Sequence, residues 1–184
     1  VQLPELTDEK SEAYKAGYKN ICEIGKERIR RAGDKVKADN ADKDGIEDLD
    51  IGFRVLKLDD TNMNDVYYAA ADYTQEMLQN MESNIKPDRN DMDLLYGCLL
   101  DWGLALSMPH TSEKIDGFTV HNYNDGDLVA CFDEKISEKV IREIAKKKPL
   151  RVVFRDNGFA SSPDKINVFE IFKLLAPNTK VKVI

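Results

Sequence analysis

No apolar run in this 184-residue chain approaches the roughly 20 residues that a membrane-spanning helix needs; the longest, Leu94 to Leu106, is broken by Asp101 and two glycines. Nor does a basic segment lead into an apolar core near the start, so the sequence has no secretory signal and reads as cytoplasmic. Cysteine is scarce. Cys22, Cys98 and Cys131 lie far apart, and neither His110 nor His121 stands at ligand spacing from any of them, which argues against a zinc site and a disulfide framework. Three reduced thiols in buried or half-buried places are expected. The usual catalytic signatures are missing as well: there is no Gly-x-Gly-x-x-Gly, no phosphate loop, no Gly-x-Ser-x-Gly elbow and no Cys/His pair at catalytic spacing. The first residues, Val-Gln-Leu-Pro-Glu, lack an initiator methionine, and the start reads as internal to something longer.

What is present can fold. The chain is 42% hydrophobic, with seven Phe and seven Tyr, enough for a core in one domain, or in one small domain plus part of another. Its net charge of −7 is carried by residues 39–101, while the flanks are slightly basic. A net acidic chain grips DNA phosphates poorly, because non-specific affinity comes from Lys and Arg displacing counterions. The exception is the cluster Lys26, Arg28, Arg30, Arg31, Lys35 and Lys37, opposed by Glu27 and Asp34. It is either a solvated helix face or a phosphate-facing surface.

From Ser11 to about Asp39, apolar residues return at helical spacing, with a break expected near Gly17 and with Thr7 or Asp8 as the cap. Residues 40–50 are an acidic loop, and Ile51 to Leu58 alternates as a strand does. Tyr73–Ile85 and Asp91–Leu106 read as two helices, the second capped by Asn90 or Asp91 and carrying a wide apolar stripe. Asp116-Gly117 between two β-like runs is a hairpin signal. Strand 128–132, helix 137–147, strand 150–154, helix 164–175 and strand 180–184 then alternate, which implies parallel pairing. The acidic pairs Asp59/Asp60 and Asp91/Asp93 could serve acid–base chemistry, but turns and helix starts use such residues as caps. Asp156-Asn157-Gly158-Phe159 follows a buried-looking strand, where open α/β sheets place ligands, and reads otherwise as a plain turn.

Several words of the sequence go further together: Gln2-Leu3-Pro4-Glu5, Asp8 to Tyr18, Ile24-Gly25-Lys26-Glu27-Arg28-Ile29-Arg30-Arg31, Gly52 to Asp59 and Arg151-Val152-Val153-Phe154-Arg155-Asp156. In this order they resemble the C-terminal part of the modification subunit of type III restriction–modification systems, bacterial site-specific DNA adenine N6-methyltransferases that use S-adenosylmethionine. The resemblance implies an α/β chain: a partial Rossmann-like methyltransferase sheet in residues 1–65, a helix pair in 66–109 and a small α/β domain with parallel strands and a hairpin in 110–184. It also implies that the Asp-Pro-Pro-Tyr and Gly-rich cofactor motifs, which this sequence lacks, precede Val1. Gln2 then aligns with the position that accepts ribose hydroxyls of the cofactor, with Glu5 as a nearby alternative, and Asp59 with the position touching the adenine ring. Independently of the resemblance, Lys26, Arg28, Arg30 and Arg31 of the basic cluster are the candidate phosphate contacts. Implied partners are DNA, a second modification subunit as homodimer, and the restriction nuclease–translocase subunit.

Two functions follow. The chain is part of a DNA methyltransferase, inactive by itself because flipping the base and holding the donor need residues it lacks; or it is an assembly module whose work is protein–protein contact. A free-standing ligand-binding α/β protein is a third reading.

Overall fold

The computed structural model describes residues 2–64 and 84–184, and the chain divides into two compact units, Val1–Leu56 and Lys57–Ile184.

The first unit is organised by caps rather than by a core. Ser11 caps α1 (Glu12–Lys15), accepting from the Tyr14 N–H. Thr7 does not cap, because its hydroxyl donates to the Tyr18 carbonyl at 2.7 Å, and Asp8 spends its carboxylate on the Lys10 N–H. Gly17, at φ +98°, ends α1: its N–H returns to Tyr14 and the Tyr18 N–H to Ala13, the bond pair of a left-handed helix stop. This is the break expected near Gly17. Asn20 then caps α2 (Ile21–Asp39), accepting from the Glu23 N–H at 3.0 Å. Residues 5–7 run beside 19–21, with Leu6 bridging Asn20. Ile51 settles over Gly33, where a Cβ would lie 2.9 Å from the Ile51 Cβ, and the Arg30 guanidinium sits 5.7 Å from the Phe53 ring centre. None of residues 2–56 is fully buried; Leu3 and Leu6 are 70% and 84% exposed.

One expected element does not form. Residues 51–58 alternate in polarity but make no ladder, and Leu58 is 93% exposed. A strand needs a neighbour to satisfy its N–H and C=O groups, and none lies alongside among the described residues. The helix expected over 73–85 falls outside the described residues apart from its last two positions, where Ile85 bridges Met63 in extended backbone.

The second unit is a three-layer sandwich. Its mixed sheet runs β1 (His110–Ile115), β2 (Phe118–Tyr123), β3 (Leu128–Cys131), β4 (Arg151–Phe154), β5 (Lys180–Val183) in spatial as in chain order. β1/β2 and β2/β3 are antiparallel; β3/β4 and β4/β5 are parallel. Asp116 and Gly117, at φ +54° and +90°, close the first hairpin with a two-residue turn. β3 and β4 read as continuous apolar runs because both their faces are covered. Val129, Cys131, Val152 and Phe154 face α4 (Glu138–Lys146) and α5 (Ser162–Leu175) through Val140, Ile144, Val168 and Phe172. Leu128, Ala130, Phe132 and Val153 face the other way, onto Leu94, Leu95, Cys98 and Leu99 of α3 (Asp91–Asp101). The expected α/β class and the parallel pairing of the closing strands are thus present.

α3 stops five residues before the expected Leu106. Gly103 takes φ +64°, its N–H bonds Leu100 and the Leu104 N–H bonds Leu99. Trp102, Leu104 and Leu106 still pack against the same core, so the apolar stripe marked burial and not helix.

Leu99 is fully buried and its neighbour Leu100 is 66% exposed. In urea unfolding Leu99→Ala is expected to cost about 2–5 kcal/mol, and Leu100→Ala no more than about 0.5 kcal/mol.

Candidate functional site

The candidate cofactor residues fall in both units, and each is described within its own. In the first, the Gln2 amide donates to the Leu3 carbonyl at 3.1 Å, and both Gln2 and Glu5 are exposed. The Glu5 carbonyl receives the Ile21 N–H, which fixes the backbone there while leaving the carboxylate in solvent. In the second, Asp59 is committed: it accepts from Arg89 Nη1 at 3.2 Å and from the Asp60 N–H. Arg89 is only 9% exposed in its side chain and is ringed by Asp59, Asp60 and Asp88, while Lys86 reaches Asp60 at 2.6 Å. Hydrogen bonding from Lys86 first, then the charges of Lys86 and Arg89, hold the Asp60 carboxyl below its ordinary value of 3.8. Next to this cluster Asn64 N–H bonds the Asn84 carbonyl and Lys86 N–H the Asn62 carbonyl, so residues 62–64 and 84–86 are stapled side by side.

The basic cluster on α2 is mostly neutralised within the helix. Lys26 pairs with Glu23 at 2.7 Å, Arg31 with Glu27 at 2.8 Å and Arg30 with the same Glu27 at 3.8 Å. The hydrogen bond from Arg31 lowers the Glu27 carboxyl pKa and raises that of Arg31 itself. Arg28 makes no ion pair among the described residues.

The carboxyl ends of β3 and β4 hold a turn. Asp156–Gly158 is a single 3₁₀ turn, Asp156 pairs with Lys165, and Gly158 sits where a Cβ would come 3.0 Å from the Asp133 carbonyl. Asp93 closes a capping box with Asn90. Cys98 and Cys131 are buried free thiols, pushed up to about 11 and about 12 by desolvation, and are therefore inert at neutral pH. No three His, Cys, Asp or Glu side chains converge as a metal site among the described residues, and none of the described helices is long and apolar enough to cross a membrane.

One constellation escaped the sequence. His121, 4% exposed, stands on β2 directly opposite Ser112 of β1. Its Nδ1 lies 2.8 Å from Ser112 Oγ, and its Nε2 lies 3.1 Å from Oδ2 of Asp91, the first residue of α3. The ring leans on Phe132. The Asp116-Gly117 turn fixes the register that sets Ser112 against His121, so this half was readable in advance. Asp91 arrives only through the docking of α3, which no local signal announces.

No protein-family model matches the chain. It is 30% identical over 172 residues to the Mod subunit of the type III restriction-modification enzyme EcoP15I of Escherichia coli, across 88% of this chain. The chain is a distant relative of a type III Mod subunit. It spans 24% of that protein's length. At 88% of the chain, the likeness reaches into both units.

The clustered acids around Arg89 give a pH signature. A carboxyl held below its usual value stabilises the fold above that value and loses the contribution as pH falls through its folded pKa. Stability measured by thermal unfolding is therefore expected to drop as pH is lowered beneath 3.8, with a shallower drop in Asp60→Asn. Arg89→Ala, which leaves three aspartates facing one another, should lower the melting temperature at neutral pH.

Proposed function

We propose that the chain is the C-terminal part of a site-specific DNA adenine N6-methyltransferase, the modification subunit of a type III restriction–modification system. The observation that carries this reading is the 30% identity to a Mod subunit along 88% of the chain. A second feature supports it. The first unit has caps, two helices and turns but no fully buried residue among those described, and its exposed Leu3, Leu6, Ile29 and Val36 are apolar surface of the kind that packs against a neighbouring domain. In this reading residues 1–65 complete the cofactor-binding half of the methyltransferase, and the rest is an appended α/β domain.

S-adenosylmethionine would be held through its ribose by Gln2 and Glu5. Both present polar side-chain atoms to solvent, and their residue types fit hydroxyl donors. Asp59 fits less well as an adenine contact, since Arg89 occupies its carboxylate and would have to release it. Methyl transfer to an adenine amine needs the base out of the stack and the donor in line. The motifs for both are missing from these 184 residues, so DNA would be gripped and modified by the parent subunit. Arg28, with Lys26, Arg30 and Arg31 once freed from their glutamates, would contribute phosphate contacts at its periphery.

A second reading, an assembly module, is favoured by α5. Its inner face buries Val168, Ile171 and Phe172, yet its outer face shows Ile166, Phe169 and Leu174 at 65%, 42% and 76% exposure. The outer face of α4 beside it carries the Glu138–Arg142 and Glu143–Lys146 pairs. A helix apolar on both sides is built to be covered twice. The cover would be a second modification subunit or the nuclease–translocase subunit.

Calorimetric titration with S-adenosylmethionine separates the readings. A heat of binding that disappears in a Gln2→Ala/Glu5→Ala double variant is expected if the cofactor half-site survives in this chain. Incubation with duplex DNA and labelled S-adenosylmethionine is expected to transfer no methyl group, and transfer would refute the proposed division of labour. Sedimentation of the chain and of Phe169→Glu tests the assembly reading: a dimer converted to monomer is the expected outcome.

A further inference from the structure

We propose that Ser112 is an activated serine, and that Ser112, His121 and Asp91 form an acyl-transfer site for small activated esters, independent of the methyltransferase reading. The proton positions follow from chemistry. A carboxylate accepts only, so the Asp91 contact at 3.1 Å requires the hydrogen on His121 Nε2. In the neutral form of the imidazole the lone pair is then on Nδ1, and across the 2.8 Å contact the Ser112 O–H is the donor. The base faces the nucleophile and the carboxylate orients the base, the arrangement that defines such a relay whatever the chain order of its members.

The surroundings suit the chemistry. His121 is 95% shielded in its side chain, held between Phe132 and the α3 terminus, so its ring cannot turn away. Ser112 is exposed on an outermost strand of the sheet, where an ester can reach it. Hydrogen-bonded and non-bonded pairs alternate outward from the two-residue turn, starting with a bonded Ile115/Phe118. Ser112/His121 is then a non-bonded pair: the side chains approach closely, and the Ser112 N–H points away from β2, to an edge that no described strand covers. Lys114, two residues along the same face, holds its ammonium 2.6 Å from Thr119 Oγ1. In this proposal the Ser112 N–H is the charge-stabilising group for an oxyanion formed at Ser112, while the Lys114 ammonium is committed to Thr119.

In the reaction, Ser112 Oγ bonds the ester carbonyl carbon as its proton passes to His121 Nδ1, and the carbonyl electron pair moves onto oxygen. Collapse breaks the bond to the leaving alcohol, which takes the proton back from Nδ1 and leaves an acyl group on Ser112. Water repeats the sequence and releases the carboxylic acid. Asp91 acts through His121 as a positioning residue.

The test uses the 184-residue chain and p-nitrophenyl acetate. A burst of nitrophenol approaching one equivalent is expected, with one acetyl group mapped to Ser112 by peptide mass spectrometry. Ser112→Ala should abolish both, and Asp91→Asn should slow the burst by about 100-fold while its circular dichroism and melting curve stay near those of the parent. Thr111→Ala, exposed beside the site, should react as the parent does. Acetylation confined to lysines, no burst, or an unchanged rate in Asp91→Asn would each overturn the assignment.

Discussion

The parallel pairing of β3 with β4 is the constraint on which the second unit depends. Two short strands, Leu128–Cys131 and Arg151–Phe154, supply side chains to both faces of the sheet, and the helices α3, α4 and α5 cover one face or the other. Parallel strands need a crossover, so α4 must lie on a face; with β5 added on the same side, α5 lies beside it. The opposite face is left for α3. Its docking decides more than packing, because the same seating that buries Leu95 and Leu99 brings Asp91 to His121.

The first unit solves a different problem with different means. Its polar groups are well cared for: Ser11 and Asn20 cap, Gly17 turns, Thr7 and Asp8 close local bonds. Its apolar groups are not, since none of its described residues is fully buried. Local hydrogen bonding can shape a chain without stabilising it much, as each bond mostly replaces one to water. Such a unit is legible as the partner surface of something apolar, consistent with its place in a stretch related to a much longer Mod subunit.

What could be read from the sequence follows the range of the forces involved. The hairpin at Asp116-Gly117, the break at Gly17 and the alternating strands and helices of the closing residues rest on turn chemistry and periodicity within a few residues. The strand expected over 51–58 failed because alternation describes a strand's faces and says nothing of whether a neighbour exists. The helix expected to reach Leu106 failed because one glycine changes the backbone while the side chains beyond it still seek the core. Of the candidate site, the phosphate cluster was visible as composition, but its pairing to Glu23 and Glu27 depends on rotamers along α2. The engagement of Asp59 by Arg89 joins residues 30 apart and had no local sign.

The staple between residues 62–64 and 84–86 carries a consequence for how this chain can vary. Asn62 of the staple donates its side-chain amide to the Asp93 carbonyl at 2.8 Å, and a Cβ on Gly97 of α3 would lie 2.7 Å from that amide nitrogen. A larger residue at 97 would therefore displace the amide that ties the staple to the start of α3, so the glycine inside that helix is kept by a close approach and not by its backbone conformation.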